Sequence, residues 1–406
     1  VPKVPKVLKV PIVRKLIRVT VPAIVVASIA SAALLEAWVR FRWDEKRGTP
    51  SFYISDPVLG ERLNPGYDGY FAGVPVKINS LGFRDPREYS LEKPRGTFRI
   101  VVLGDSVTFG HGALYEATYP YLLEQRLRAW RRDVQWQVWN LGVPGFSTRD
   151  ELTYLQQIGD RYAPDLVIVG FFINDLVRGG PKPPPGALRR AVSRARQVVQ
   201  QHLYSYQLYK KSYATLQWRL SANDASRQQM ELLAEGEALL NHTQSVEHLP
   251  EQRLSDVDYF DDAAVASFAC PKWQPLDHDG GLRARLRDGG PDVDDWIAAV
   301  RELQQLHQSG KYRVVFFINM APVICQTEDR FHDGGALADD AALRAVLSAG
   351  TPVFSSTAAF LHYRPSQMPV AGGHSIGNSN RVKAEALFEG LRDSVLPSLV
   401  PPLLAQ

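Results

Sequence analysis

The sequence predicts an α/β fold in which a parallel sheet of about five strands carries helices on both faces. An inserted helical region and one N-terminal transmembrane helix complete the expected architecture. Three observations lead there: short continuous apolar runs recur along the chain, amphipathic helical patterns lie between them, and an uncharged Ala/Val/Ile-rich run follows a basic N-terminus. Over 406 residues, hydrophobic side chains make up 45% and charged ones 22%, an ordinary globular composition with enough apolar surface to bury a sizeable core. The length exceeds one typical domain, so either one large domain with insertions or two domains are expected.

The formal net charge is +4, and much of the excess sits in Lys3, Lys6, Lys9, Arg14, Lys15 and Arg18. Such a cluster also reads as a nucleic-acid footprint. The apolar run directly behind it makes a juxtamembrane tail the better reading, so no nucleic-acid partner is expected. From Val19 to Leu35 the chain has no charge; Glu36, Ala37, Trp38 and Val39 follow. The run lies at the short end of the roughly 17–25 residues that span a bilayer. Trp38 and Phe41 mark the far interface. Residues 1–18 are therefore expected to be a basic cytoplasmic tail, and residues 19–39 a membrane helix with the lipid bilayer as its partner. The rival is a cleaved signal peptide, with Ala30-Ser31-Ala32 as the small residues ahead of a cut; the expectation is a retained anchor. After the run, Arg40, Arg42, Lys46 and Arg47 are mixed with Asp44 and Glu45. The basic residues ahead of the run thus place the N-terminus in the cytoplasm and export the C-terminal part to the periplasm or the exterior. An exported compartment permits a disulfide between the two cysteines, Cys270 and Cys325, but the sequence leaves open whether they pair or stay buried thiols.

Residues 40–97 form a lead-in; from Pro50 to Pro94 it is rich in Gly, Pro and aromatics and predicts extended segments and turns. An α/β domain is expected over 98–400. The run Phe98-Arg-Ile-Val-Val-Leu103 ends at Gly104 and predicts a strand buried on both faces. Further strands are predicted at Gln137–Asn140, Leu166–Phe172, Arg313–Asn319 and, more weakly, Pro352–Phe354. Helical spacing of apolar residues appears at Tyr119–Trp130, Leu152–Ile158 and Trp296–His307. Strand–helix alternation of this kind predicts a flavodoxin-like parallel sheet. Residues 176–295 break the rhythm. They open with Pro181-Lys-Pro-Pro-Pro185, continue as basic helical sequence from Leu188 to Leu240 with Tyr204, Tyr206, Tyr209 and Tyr213, and pass through an acidic stretch at Asp256–Asp262. This insertion is expected to be a helical cap over the carboxyl edge, its tyrosines serving packing. The chain has no internal repeat, no metal-spaced Cys/His cluster and no phosphate-binding glycine loop, so neither cofactor nor metal is expected.

Gly104-Asp105-Ser106-Val107 follows the first strand directly. Ligands of parallel α/β sheets bind beyond the carboxyl ends of the strands, and a serine opening the next helix presents its hydroxyl there. Alone, the tripeptide is also an ordinary strand-to-helix turn. Asn140-Leu-Gly-Val-Pro-Gly145 follows the second strand and Ile173-Asn174-Asp175 the third. A tetrahedral oxyanion needs several fixed donors. The backbone N–H groups of Ser106 and Gly145 and the side-chain amide of Asn174 are the candidates. The bland readings are a turn glycine and a strand-ending cap. A serine hydroxyl also needs a base in reach. His374, in Gly372-Gly373-His374 ahead of a last amphipathic segment at Arg381–Leu391, is the candidate.

In their order these blocks resemble the SGNH (GDSL-like) hydrolase and acyltransferase family, of the exported, membrane-anchored bacterial type. Ile78-Asn-Ser-Leu-Gly-Phe-Arg84 and the run Arg99–Gly110 add to the likeness, which is close over Asn79–Asp175 and looser over Arg313–Leu391. The resemblance implies Ser106 as nucleophile, Ser106, Gly145 and Asn174 as the oxyanion hole, and His374 as general base. Two features depart from the family's pattern. Phe172 stands where a glycine is usual, and Ala371 and Gly372 stand where an Asp usually precedes the histidine; no Asp occurs between Asp340 and Asp393. The expected function is that of an exported acyl-ester hydrolase or O-acyltransferase working on an acyl ester or cell-envelope glycan. The alternative is a catalytically degenerate subunit of a membrane complex, with other subunits as its partners.

Overall fold

The computed structural model describes residues 10–44, 48–176, 187–221, 254–271, 281–325, 327–368, 370–371 and 374–400. The tail lysines Lys3, Lys6 and Lys9, the Pro181–Pro185 linker, Gly372 and Gly373 lie outside the described residues.

Helix α1 (Val10–Arg42) comes first. Two antiparallel hairpins follow, β1 (Tyr53–Asp56) with β2 (Gly60–Leu63) and β3 (Asp68–Phe71) with β4 (Val74–Lys77). The next elements are β5 (Thr97–Gly104), α2 (Ser106–Phe109), α3 (Tyr119–Trp130), β6 (Gln135–Asn140), α4 (Thr148–Tyr162) and β7 (Leu166–Phe171). Helices α5 (Ala187–His202) and α6 (Tyr204–Ser221) belong to the insertion. After them come α7 (Pro291–Gln308), β8 (Val314–Ile318), the hairpin of β9 (Val323–Cys325) and β10 (Arg330–His332), α8 (Ala336–Leu347) and β11 (Val353–Ser355). A two-residue hairpin, β12 (Val370–Ala371) with β13 (His374–Ser375), leads into α9 (Asn378–Gly390).

The central sheet has five parallel strands in the order β11-β8-β7-β5-β6, which is the flavodoxin-like order. All five expected strands are present, with ends shifted by a residue or two. Strand side chains alternate between two faces, and both faces are covered. Val101, Leu103, Val167, Val169, Phe316 and Ile318 pack with Trp296 of α7, Leu155 of α4 and residues of the hairpins. Ile100, Val102, Ile168, Val315 and Phe317 pack with Leu123 and Leu127 of α3 and Leu387 and Phe388 of α9. Burial on both sides is why these strands read as unbroken apolar runs. The chain reverses direction across the sheet between β5 and β7, so their carboxyl ends flank the switch point where ligands of such sheets bind.

Residues Arg18–Arg42 of α1 form one helical stretch long and apolar enough to cross a bilayer, and its apolar window is not buried by the rest of the chain. A signal sequence has the same length and composition. The helix runs past the expected 19–39 at both ends, because charged side chains at its ends leave the backbone ladder intact. Near its C-terminal end it grips the insertion. Glu36 accepts from the backbone N–H groups of Tyr204 (3.0 Å) and Ser205 (2.9 Å), which open α6. Arg40 donates to the carbonyl of His202 (2.6 Å), which ends α5, and pairs with Glu36 at 2.7 Å. An anion thus meets the orphan donors of one helix and a cation the orphan acceptors of the other, the arrangement helix dipoles favour. Gln200 reaches Glu61 of β2 at 3.1 Å. The described helices α5 and α6 therefore pack on α1 and the first hairpin, not as a lid on the strand ends.

The later part of the insertion returns to the sheet domain. Phe260 and His362 exchange hydrogen bonds, with the Phe260 N–H on the His362 carbonyl (2.8 Å) and His362 Nδ1 on the Phe260 carbonyl (2.7 Å). Arg330 lies over the Phe260 ring at 3.5 Å. Cys270 and Cys325 form a disulfide that fastens this segment to β9.

Candidate active site

Strand β5 ends at Gly104, where φ is +157° and a Cβ would come within 2.0 Å of Thr108 Oγ1, so only glycine fits. Asp105 caps α2, its carboxylate accepting the Val107 N–H at 2.8 Å. Ser106 is then the first residue of α2, and the single turn closes at Gly110 in the left-handed conformation (φ +82°). Arg84, fully buried, fixes the far side of this turn by donating to the carbonyls of Phe109 (2.8 Å), Gly110 (2.7 Å) and Ala113 (2.6 Å). This gives the Ile78–Arg84 block a physical role: it braces the turn that carries the serine.

Ser106 Oγ and His374 Nε2 are 2.7 Å apart. With His374 neutral and its proton on Nδ1, the hydroxyl donates and Nε2 is placed to receive the proton. The hairpin of β12 and β13 delivers His374, and Ile376 behind it packs on Ala113. Residues separated by 268 positions in sequence thus meet within hydrogen-bond reach.

The other candidates sit on the loops beside them. The 140–146 loop is laced to the serine turn: Val143 N–H donates to the Gly104 carbonyl at 2.9 Å and Asn140 Nδ2 to the Phe109 carbonyl at 3.3 Å. A Cβ on Gly142 would stand 2.3 Å from the Phe109 nitrogen, so loop and helix touch backbone to backbone. Gly145 lies at the exposed tip of this loop with φ +88°, and nothing crowds its Cα. Asn174 is exposed on a one-turn 3-10 helix after β7, and its side chain hydrogen-bonds the Asp105 carboxylate. An amide carries two N–H donors. One on Asp105 leaves the other for a ligand.

Behind the serine lies a buried polar layer that the sequence did not disclose. Burial pushes the Asp105 carboxyl up, opposed by the Val107 N–H, Asn174, His374 and Lys383. Burial lowers the ammonium of Lys383, on α9, to about 7, with the Asp105 carboxylate working against it. Glu151 and Asp175 are fully buried and held well above the usual carboxylate range, first by burial and then by neighbouring carboxylates: Asp175, Asp105 and Asp150 for Glu151, Asp105 and Asp150 for Asp175. Asp175 still accepts the Phe172 N–H at 2.9 Å. His111 is the other unforeseen neighbour. Its ring stacks on that of His374, with centroids 4.3 Å apart and planes 23° from parallel. Its position one residue past Gly110 is the only sequence signal it carries. Among the described residues, no group of three or more His, Cys, Asp or Glu side chains is placed to hold a metal ion.

The family model described as the GDSL-like Lipase/Acylhydrolase family matches residues 102–336, a span that includes Ser106, Gly145 and Asn174. An arylesterase of Vibrio mimicus is 30% identical over 140 residues, covering 33% of this chain and 69% of that protein. Among solved structures, an α/β hydrolase from the metagenome of Lake Arreo, Spain, aligns over 72% of this chain and 94% of its own, at 14% identity and a TM-score of 0.35. The acetylxylan esterase of Geobacillus stearothermophilus aligns over 72% and 94%, at 12% identity and a TM-score of 0.34.

Proposed function

This chain belongs to the GDSL-like lipase/acylhydrolase family, and from that premise we propose that it is a membrane-anchored, exported serine esterase or O-acyltransferase acting through Ser106. The 2.7 Å contact between Ser106 Oγ and His374 Nε2 carries the reading. In the reaction, Oγ attacks the acyl carbonyl as its proton passes to Nε2. The carbonyl π pair moves to oxygen, where the N–H groups of Ser106 and Gly145 and the free amide hydrogen of Asn174 receive the charge. Collapse breaks the bond to the alcohol, which leaves with the proton from His374. Water or a sugar hydroxyl then gives its proton to Nε2 and takes the acyl group from Ser106, by the same steps in reverse. The two acceptors distinguish a hydrolase from a transferase.

In this reading, residues 98–400 form the catalytic domain with 176–295 as its insertion, 40–97 the lead-in, 19–39 the span and 1–18 the cytoplasmic tail. Retention of α1 is supported by the grip of Glu36 and Arg40 on α5 and α6, since a helix destined for removal has no use for such contacts. Export is supported by the Lys/Arg bias and by the disulfide, which persists in oxidising compartments. A topology reporter fused after Gln406 should be active only outside the cytoplasm.

The deciding experiment is labelling of the detergent-solubilised chain by a fluorophosphonate, beside turnover of an aryl acetate. Wild type should label and turn over. Ser106→Ala should do neither, its residual rate down by at least about 10³-fold. The competing reading, a catalytically silent subunit of a membrane complex, rests on the missing Asp before His374. An unlabelled, inactive wild type that still assembles with membrane partners would establish it in place of the esterase.

A further inference from the structure

His111 stands where the chemistry leaves something to explain. A general base on serine must keep its ring in one plane and one tautomer, and in a Ser-His-Asp triad the aspartate does both. Here Ala371 and Gly372 occupy the usual aspartate positions. The His374 ring lies flat against a second imidazole, at 4.3 Å and 23°.

The residue that carries that second imidazole is held by its backbone and by its ring. The His111 N–H donates to the Ser106 carbonyl at 3.0 Å, so nucleophile and stacking ring are the two ends of one helical turn. The next-door carbonyl of Gly110 is gripped by Arg84 at 2.7 Å. The ring's edge contact is Phe71, with centroids 5.2 Å apart and planes at 82°, and Phe71 is itself stacked on Phe52 at 3.9 Å. The hairpins of the lead-in therefore reach the active site through a ladder of rings, Phe52–Phe71–His111–His374.

We propose that His111 is a positioning residue for the general base, its ring face fixing the plane of the His374 imidazole so that Nε2 stays on Ser106 Oγ. It takes no proton. When the Ser106 proton moves to Nε2, the new imidazolium lies over a neutral π face, an arrangement that favours the cation. Burial, aided by His374 and Arg84, lowers His111 to about 3, so the face remains neutral throughout the working range. His111 Nδ1 is enclosed and makes no hydrogen bond within the described residues, so it is the ring face, not a nitrogen, that makes the contact with His374.

The inference rests on the serine-esterase reading, and two substitutions test it. His111→Phe keeps a flat face without nitrogen; His111→Leu keeps comparable bulk without the face. The expected result is a kcat for His111→Leu at least about 10-fold below wild type, with KM within twofold and an unchanged melting temperature. His111→Phe should stay within about threefold of wild type. Equal kcat values for the two variants, or a His111→Leu variant as fast as wild type, would overturn the proposal. Nitrogen-15 NMR of the His374 ring separates this from failure of the functional reading. If wild type neither labels with fluorophosphonate nor turns over an ester, the esterase reading falls. The stack then stands if the His374 Nε2 signal, which reports its hydrogen bond to Ser106 Oγ, changes in His111→Leu but not in His111→Phe, and falls on any other pattern.

Discussion

The carboxyl edge of the sheet and the corner where α1 meets α5 and α6 both join parts of the chain far apart in sequence, and they do so by different physics. At the edge, Ser106 and His374 meet over a buried layer: Arg84, Asp105, Glu151, Asp175 and Lys383 are all fully or almost fully enclosed. Backbone groups of β5, α2 and the 140–146 loop are interlocked there, with glycines at 104 and 142 where no side chain fits. At the α1 corner, one carboxylate and one guanidinium sit on two helix ends; the Arg40 side chain is half exposed and that of Glu36 is 13% exposed. Enclosed contacts fix geometry to a fraction of an ångström because nothing can move without a clash or an orphaned polar group. Charge–dipole contacts with one partner open to solvent are partly screened and weaker. The edge is held rigidly by enclosed contacts, the corner by contacts partly open to solvent.

This contrast can be broken or sharpened by measurement. Asn174→Ala should have the largest effect of four changes away from the nucleophile. It removes a candidate oxyanion donor, and kcat should fall by about 10²- to 10³-fold with KM little changed. A rise in KM at constant kcat would instead make Asn174 a binding group. Replacing Cys270 and Cys325 together by alanine comes next. The disulfide spans 55 residues of sequence, and its loss should lower stability by about 2–4 kcal/mol, read from denaturant midpoints.

Glu151→Gln tests the enclosed layer through pH. The Glu151 carboxyl is held well above its ordinary value of 4.5. Below pH 4.5 the group is protonated in folded and unfolded chains alike, so its stabilising share is intact. As pH rises above 4.5 the unfolded chain releases the proton and the folded chain keeps it, so stability drains toward the folded-state pKa. The amide has no such dependence. Melting temperatures measured from pH 5 to 9 should therefore show Glu151→Gln gaining steadily on wild type; parallel curves would place Glu151 in contact with water. The smallest effect belongs to Glu36→Ala. Its loss of two capping contacts should cost no more than about 1 kcal/mol. It should appear as faster proteolysis between α5 and α6 with turnover unaffected.

Glutamate 36 also shows where reading the sequence stops. In the chain it is only the charge that ends an apolar run. Its partners, Tyr204 and Ser205, are separated from it by the whole first half of the sheet domain, and no local pattern announces them. The same holds for α5 and α6: their helical character is written in their composition, but that they lean on α1 instead of covering the strand ends is a matter of packing. The disulfide was an open alternative in sequence because two cysteines are equally at home apart, and only their approach in space decides.

Local chemistry and periodicity were enough for the rest. Strands buried on both faces must be continuously apolar, so the three central strands were legible from Phe98, Leu166 and Arg313 onward, and the two edge strands more weakly. A parallel sheet sends every strand's carboxyl end to one side, so Ser106, Gly145 and Asn174 were placed on one edge by their positions after β5, β6 and β7. The 2.7 Å approach of His374, the stacking of His111 on it and the buried carboxylates behind them depend on how loops close over distances of up to 268 residues. Sequence periodicity specifies which face a side chain takes. Only the closed, close-packed chain specifies what it touches there, because contact depends on the joint shape of segments that share no local pattern.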